Sequence, residues 1–559
     1  MQSSIGRTQS GISFTRKVPG LLAVLIGSGV LGLASGALGQ DVSTNAPLLS
    51  ASAPDPVLSL LVEKGMITEQ EAAKAQAQAD AMRTNEISEL RESDSQWKIS
   101  KSVKNLELFG DARLRYEDRS STAPTGGSID LNRFRYSVRL GLRGEAFDDF
   151  YYGLRVETSS NPRSTWVTMG TSSSGAPYLG PFGKSTGGIG IGQVYLGWRP
   201  ASWFDLTLGK MPNPLYTSSM VWSPSINPEG ASEQFHYTVG EADLFADFCQ
   251  FLYADNNPLA AGEGLGVNSQ LGQSADNIFQ IAWQGGLTYH VTTNISAKVG
   301  ATIYQYFGLQ QSSATQGNSP YFGDPYVGEG SYTGPGSGIY EYNGYSGYPN
   351  SSSLPGYESL GYPNNQVGLN HLLVLEVPFE FNFKLENLDA RIFGDVAYNL
   401  QGNQRAQDAA SAYATYLAYQ AQVQGVTTIS GFAPQVHDDK AYQIGFALGS
   451  ADSLGLVNGT STSAKRHSWE VRTFWQHIDQ YSLDPNLLDL DYFAGVENME
   501  GIYVAAAYSL TDDFILAFRY GNASRINSLL GTGGTGTDIP QINPVNKFQM
   551  FQFDLSYKF

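Results

Sequence analysis

The chain has 559 residues and a formal net charge of −18, from 34 basic and 52 acidic side chains. This acidic balance argues against a nucleic-acid-binding protein, because nucleic acids are bound by basic surfaces. Cys249 is the only cysteine, so an internal disulfide is excluded. The 62 glycines and 32 tyrosines indicate many tight turns and many side chains suited to a membrane interface.

Residues 1–39 have the composition of a signal peptide. Arg7, Arg16 and Lys17 precede a glycine-interrupted apolar stretch over 21–33. Small residues follow it: Ala34, Ser35, Ala37 and Gly39. A membrane anchor helix is the alternative, although the apolar stretch is short for one. No later stretch reaches the ~18–20 apolar residues that a spanning helix requires. We therefore expect an exported chain, whose net charge becomes −21 when the three basic residues of 1–39 are removed.

Residues 40–103 predict a periplasmic helical extension or linker. Thr68 and Glu71 have the spacing of a capping box, which opens an Ala/Gln-rich helix to about Arg83. The apolar stripe of this helix is too thin to predict a coiled coil. A solvated linker and a self-association element therefore both stay open.

From residue 104 onward, apolar and polar residues alternate with the period of a β-strand. In the last strand Phe551, Phe553, Leu555, Tyr557 and Phe559 share one face, and Gln552, Asp554, Ser556 and Lys558 share the other. An apolar outer face around a polar interior is typical of a barrel in lipid, whereas a soluble sandwich has its polar residues outside.

The connections alternate in length along this region. Short ones are predicted at 146–148, 200–202, 291–294, 386–388 and 511–513, and long ones near 118–131, 159–189, 211–229, 253–276, 309–368, 401–439, 479–499 and 522–546. Eight long loops predict an all-β fold: a transmembrane, antiparallel, up-and-down β-barrel of about sixteen strands over residues 104–559. The strand patterns at 230–238 and 243–252 are weak, and the turn at 451–465 is long. Fourteen or eighteen strands therefore stay open.

Seven arginines share the inward-facing parity of the first three strands; we call them the arginine stripe: Arg113, Arg115, Arg133, Arg135, Arg139, Arg143 and Arg155. An arginine that faced lipid at the midplane of the membrane would lower the free energy of unfolding by roughly 2–4 kcal/mol. Four carboxylates on the same face offer counter-charges: Glu107, Asp111, Glu117 and Glu157.

Symmetric closure of the first loop would place Arg115 opposite Arg133 and Arg113 opposite Arg135, and the next turn would place Arg139 opposite Arg155. We predict that the arginine stripe and its four carboxylates line a pore and create a field across it. In the alternative interpretation, the same residues only stabilise the wall through salt bridges.

Several segments together resemble a family of sixteen-stranded outer-membrane barrels, the bacterial putative porins. They are LLVEKGMIT at 60–68, FGDARLRYE at 109–117, RFRYSVRLGLRG at 133–144, GKMPNP at 209–214 and NPEG at 227–230. The resemblance extends over about 56–559. It implies passive diffusion of small hydrophilic solutes, a place in the lipid of the bacterial outer membrane, and a homotrimer.

The resemblance also implies that the third long loop folds inward and narrows the channel. The candidate constriction residues are Met211, Asn213, Tyr216, Trp222 and Glu229. Four prolines stiffen this segment, and Trp222 supplies an apolar anchor.

The sequence contains no recognisable catalytic motif, metal-ligand spacing or cofactor-binding motif, so neither an enzyme nor a cofactor is expected. Asp484, Asp489 and Asp491 lack the spacing of a calcium loop, which favours a solvated acidic loop. The main alternative function is a glycan-binding or adhesive barrel that acts through its long loops, including the Tyr/Gly-rich loop 318–365. Residues 40–103 are too few for the plug domain of an energised transporter.

Overall fold

The computed structural model describes residues 62, 64–66, 68, 70–75 and 77, and most of 103–559. Within the second range, the description omits 123–125, 148, 160–163, 171–187, 255–277, 308–370, 408–437, 460–464, 485, 529, 531 and 533–544. The predicted signal peptide, most of the predicted extension and the Tyr/Gly-rich loop lie outside the described residues. The chain divides into two units, Met1–Lys98 and Ile99–Phe559.

The described part of the first unit contains the predicted capping box. The Thr68 backbone N–H donates to Glu71 Oε2 at 2.8 Å, and the Glu71 N–H donates to Thr68 Oγ1 at 3.3 Å. Residues 70–75 are helical, as this reciprocal bonding predicts. None of the helices in the described residues has the length and apolar character needed to cross a membrane.

The second unit is built almost entirely from strands. They are β1 Glu107–Thr122, β2 Ser128–Glu145, β3 Phe150–Ser159, β4 Val167–Thr168, β5 Gly188–Ala201, β6 Phe204–Lys210, β7 Glu229–Val239, β8 Ala242–Ala254, β9 Ile278–Thr292, β10 Ile295–Phe307, β11 Leu373–Leu385, β12 Leu388–Asn399, β13 Lys440–Ser450, β14 Trp469–Ile478, β15 Met499–Ser509, β16 Phe514–Arg525 and β17 Lys547–Lys558. A helix over 402–407 and a 3-10 turn at Phe493–Gly495 are the helical pieces described here.

The sheet closes into an antiparallel barrel. Each long strand pairs with its neighbours in the sequence, and β17 pairs with β1 from Asp111↔Lys558 to Thr122↔Lys547. The two-residue strand β4 pairs with Arg135 and Tyr136 of β2, and it does not form a full strand of the barrel wall. The sixteen long strands confirm the predicted fold, and the weak patterns at 230–238 and 243–252 form β7 and β8.

The two ends of the barrel differ in their connections. At one end they cover 146–149, 202–203, 240–241, 293–294, 386–387, 451–468 and 510–513, and both termini of the barrel lie there. At the other end they cover 123–127, 160–187, 211–228, 255–277, 308–372, 400–439, 479–498 and 526–546. The predicted alternation is confirmed with two exceptions. The first loop is five residues long because β1 and β2 extend into 118–131, and the connection 451–468, at the short-turn end, is eighteen residues long.

The two faces of the wall carry the predicted chemistry. Phe553 of β17 and Phe559, directly after the strand, are 44% and 49% exposed, whereas Gln552 and Asp554 of β17 are buried. Large exposed apolar side chains continue around the outer face, including Leu114, Phe134 and Trp283. Because successive strand residues point to opposite faces, a period of two places apolar groups on the outer face and polar groups on the inner face.

The outer face gives a direct test of orientation in the membrane. Leu114→Arg places a charge near the middle of β1 and is expected to lower the free energy of unfolding by about 2–4 kcal/mol in lipid. Leu106→Arg makes the same change at the end of the barrel, where the cost falls to ~0–1 kcal/mol. Urea unfolding in vesicles measures both values, and equal losses would contradict the assignment of the outer face.

Candidate functional site

The arginine stripe lies on the inner face of the barrel, but its register differs from the predicted one. Arg133 pairs across the sheet with Glu117, Arg139 with Asp111 and Arg143 with Glu107. The predicted oppositions of Arg115 to Arg133 and of Arg113 to Arg135 are wrong by two residues. The observed register sets carboxylates opposite these three arginines but leaves one like-charged pair, Arg115 opposite Arg135. Like charges directly opposite destabilise a sheet, and Glu117, 3.9 Å from Arg115 and 3.5 Å from Arg135, offsets the repulsion.

The second predicted opposition fails in the same way. Arg139 lies opposite Glu157 of β3, while Arg155 lies opposite Gly141. The guanidinium of Arg155 is 3.1 Å from the carboxylate of Glu157 on its own strand. The turn between β2 and β3 therefore also places a carboxylate, not an arginine, opposite Arg139.

Every arginine of the stripe contacts a carboxylate. Arg139 and Arg113 share Asp111 at 2.5 and 2.9 Å, and Arg143 binds Glu107 at 2.7 Å. Arg133 binds Glu117, and Arg135 lies 3.5 Å from the same carboxylate. The salt-bridge interpretation requires such a contact for each arginine of the stripe.

Arg115 lies at the centre of this network and is 2% exposed. Its Nε and Nη2 donate to the two oxygens of Asp554 at 2.7 and 2.9 Å, and its Nη1 donates to Asp491 at 2.7 Å. The ring of Trp166 lies 4.0 Å from its guanidinium carbon. Arg115 thus joins the first strand to the last strand, to a loop from the long-loop end and to an aromatic ring.

Sequence reasoning missed three members of this network. Arg119 is buried and donates to Leu490 O at 3.0 Å and to Asp491 at 3.3 Å, and Arg519 binds Asp554. Arg119 has the same parity as Arg115, but the predicted start of the first loop at 118 removed it from the strand. Trp166 lies outside any alternating segment, so no periodic signal marked it.

The acidic segment at 479–498, which we call loop 7, lies inside the barrel and not in solvent. Asp484 accepts a hydrogen bond from Tyr306 at 2.6 Å, and Asp491 accepts from Arg115 and Arg119. The solvated-loop interpretation is therefore wrong. Within the described residues, no group of three or more His, Cys, Asp or Glu side chains could hold a metal ion.

Two carboxyls of loop 7 have opposite electrostatic environments. Burial and the neighbouring charge of Asp491 raise the pKa of Asp489 to about 7. Burial would also raise the pKa of Asp491, but Arg115 and Arg119 outweigh it and hold that pKa well below its usual range. Near neutral pH, Asp491 is therefore ionised, while Asp489 is protonated in part of the molecules.

The third long loop, residues 211–228 and called loop 3 below, also lies inside the barrel. Thr217 Oγ1 donates to Glu376 of β11 and Ser218 Oγ donates to Asp395 of β12, both at 2.5 Å. Gln284 of β9 bonds to both the N–H and the carbonyl of Tyr216. These bonds attach the loop to the inner wall across three strands.

Four of the five predicted constriction residues belong to loop 3. Met211 is buried at its base, and the Asn213 side chain accepts from the Leu215 N–H at 3.0 Å. Trp222 is buried, and its ring lies 5.9 Å from that of Phe251. Tyr216 lines a cavity between loop 3 and strands β7–β10.

Glu229 is the exception among the predicted constriction residues. It begins β7 and pairs with Lys210 of β6 at 2.5 Å, with its side chain 59% exposed. The proline-rich segment ends at Pro228, and the strand starts one residue later. The predicted loop therefore included one residue of the wall.

Segments from both ends of the barrel meet in a buried apolar cluster. The Ser223 N–H of loop 3 donates to Leu487 O of loop 7 at 2.7 Å. From the opposite end, the turn 451–468 buries Leu456 and Val457, and the Val457 N–H donates to Glu470 Oε2 at 2.8 Å. The part of the interior described here is thus largely filled by chain.

Removing the charge at the centre of the network tests its contribution to stability. Arg115→Gln leaves Asp554 and Asp491 without their main cation, so the free energy of unfolding should fall by about 3–5 kcal/mol. The matched change Arg143→Gln breaks a pair that is half exposed on both sides, which should cost no more than ~1 kcal/mol. Urea unfolding of both variants measures the difference, and losses of similar size would contradict the central role of Arg115.

The raised pKa of Asp489 predicts that the packing of loop 7 depends on pH. Ionisation near pH 7 places a second negative charge beside Asp491 in a half-buried site, where the Asp491 N–H, Arg119 and Arg115 offset it in part. Because the folded-state pKa exceeds the ordinary value of an aspartate, stability is greatest at low pH and falls as pH rises through about 7. Hydrogen exchange of 479–498, corrected for intrinsic rates, should be faster at pH 8 than at pH 5. Asp489→Asn should remove this dependence, and an unchanged dependence in that variant would contradict the assignment.

One protein family and several solved structures are similar to this chain. The family described as "Putative porin" matches residues 120–559. Similar solved structures include an anion-selective porin from Comamonas acidovorans, with 8% identity and a TM-score of 0.37 over 81% of this chain and 99% of that chain. They also include Salmonella typhi OmpF in complex with daunomycin, with 10% identity and a TM-score of 0.38 over 83% and 100%. Pseudomonas putida OprB at high pH has 10% identity and a TM-score of 0.40 over 82% of this chain and 94% of that chain.

No curated protein matches the chain. Because the family match covers most of its length, the chain belongs to the putative porin family.

Proposed function

We propose that this protein forms a water-filled channel in the bacterial outer membrane, through which small hydrophilic solutes or ions diffuse passively. The observation that carries this proposal is a closed barrel with an apolar outer face and a charged inner face, in a chain of the putative porin family. An apolar outer wall fits contact with lipid, and a polar inner wall fits contact with water.

The constriction in this proposal is formed by loop 3, which is held against β11 and β12 through Thr217 and Ser218. The arginine stripe and its carboxylates form the wall of β1–β3. Their pairing stabilises that wall and binds loop 7, so the lumen is rich in arginine but carries little uncompensated charge there. The proposal includes no catalytic step and no cofactor.

A homotrimer in outer-membrane lipid is the assembly that we propose. The support is membership of the putative porin family together with the continuous apolar outer face. Three barrels that each contain a separate channel should conduct in steps of three when one assembly inserts into a bilayer.

Reconstitution of the protein in a planar bilayer tests the channel directly. Steady single-channel conductance is expected, grouped in threes for a trimer, and the reversal potential across a salt gradient gives the charge preference. Because three inner segments fill much of the described interior, we expect small conductance steps. A folded barrel that gives no conductance would contradict the proposal and favour loop-mediated glycan binding or adhesion.

The hydrogen bonds that hold loop 3 supply a second arm of this experiment. The double variant Thr217→Ala/Ser218→Ala removes the side-chain donors of loop 3 to Glu376 and Asp395, at about 1 kcal/mol for each hydrogen bond lost, while Glu376 keeps its bond from Tyr304. Open-channel noise and mean conductance should increase because the loop is less firmly held. Ser225→Ala, an exposed position of the same loop, is the matched control and should conduct like the unaltered protein.

A further inference from the structure

Lys298 differs from the other cations on the inner face of the described strands. Arg391 lies 3.5 Å from Glu380 and Arg472 lies 3.2 Å from Glu470, as the arginines of the stripe lie beside their carboxylates. The Lys298 ammonium instead lies 3.9 Å from the centroid of Tyr216 and 5.2 Å from that of Phe245. Among the described residues, it contacts no carboxylate within salt-bridge distance and donates no hydrogen bond.

This ammonium faces a cavity of about 320 Å³ between loop 3 and strands β7–β10. The volume lies at the lower end of the ~300–1,000 Å³ range of small-molecule sites. Tyr216 and Phe245 supply aromatic surface to its lining, and Gln234, Thr288 and Lys298 supply polar groups. The combination of an apolar wall with a few polar groups is the usual composition of a site for a small organic solute.

The carboxylates that line the same cavity already have partners. Asp247 accepts a hydrogen bond from Gln234 at 3.0 Å. Asp243 accepts from Thr238 at 2.7 Å and contacts His290 at 2.9 Å. Of Asp243, Asp247 and Lys298, Lys298 is therefore the one whose hydrogen-bonding capacity the protein leaves unused. An anionic oxygen is the partner that such a cation binds most strongly.

We propose that this cavity is a binding subsite for small organic monocarboxylates, in which Lys298 receives the carboxylate and Tyr216 and Phe245 contact the apolar part. This inference rests on the proposed channel function, because the solute reaches the cavity through the barrel. A single negative charge is favoured over a multiply charged anion, since Asp243 and Asp247 lie in the same lining and repel additional charge.

Benzoate is the probe for this subsite, and benzamide is its uncharged counterpart of nearly the same shape. Isothermal titration of the detergent-solubilised, folded protein should show benzoate binding and at least tenfold weaker binding of benzamide. Lys298→Gln should weaken benzoate binding about tenfold or more, which is the size of one lost hydrogen bond to a charged group. Lys298→Arg keeps the charge and should retain most of the binding.

Lys384→Gln is the matched control. Lys384 lies at the short-turn end, is 62% exposed and pairs with Asp452 outside the cavity, so this variant should bind benzoate like the unaltered protein. Equal benzoate binding by the Lys298→Gln variant, or equal binding of benzamide and benzoate, would overturn the proposal. So would the absence of benzoate binding by the unaltered protein.

Binding in detergent does not require conduction, so the two proposals fail separately. Conductance without benzoate binding would contradict the proposed subsite and support the proposed channel. Lys298-dependent benzoate binding by a barrel that does not conduct supports a carboxylate site there, but contradicts the channel on which this inference rests.

Discussion

The bidentate pair between Arg115 and Asp554 is the interaction on which the rest of the interior depends. It joins the first strand to the last, at the seam where the sheet becomes a closed barrel. The same guanidinium also binds Asp491, so the seam and loop 7 are held by one charge. A buried cation of this kind is stable only when it is fully paired, which requires the strand register and the loop position to be correct together. Closure of the wall and filling of the lumen are thus coupled.

A second constraint is the space that sixteen strands enclose. Side chains of the wall alone fill the interior of a barrel of about eight strands, whereas sixteen strands leave room for a wide aqueous lumen. In this protein loop 3 and loop 7 enter from one end, and the turn 451–468 enters from the other. Their apolar residues pack in the centre while their polar backbone groups bond to the wall. The dimensions of any passage are therefore set by these inner segments and not by the strand count.

The strand faces could be predicted from the sequence, whereas the register could not. Alternation is a property of the extended backbone, so Phe553 and Asp554 reveal their faces without knowledge of any partner. A slip of two residues leaves every face unchanged, so parity could not distinguish Arg133 opposite Arg115 from Arg133 opposite Glu117. The contact of Arg115 with Asp491 spans hundreds of residues and has no local signal. The inward fold of loop 7 was missed for that reason, and its acidic run was interpreted as solvated.

The distribution of charge inside the barrel also shows why the number of charged residues does not predict a preference for anions or cations. The arginine stripe contains many cations, but each contacts a carboxylate, and Arg115 is shielded further by the ring of Trp166. Opposite charges a few ångströms apart cancel at the distance of a solute near the centre of the lumen, and salt screens what is left beyond about 8–10 Å. Lys298 interacts with the charges of Glu380 and Asp247, but among the described residues no carboxylate lies within salt-bridge distance of it. The charge of such a lysine is compensated less closely than that of an arginine in direct contact with a carboxylate.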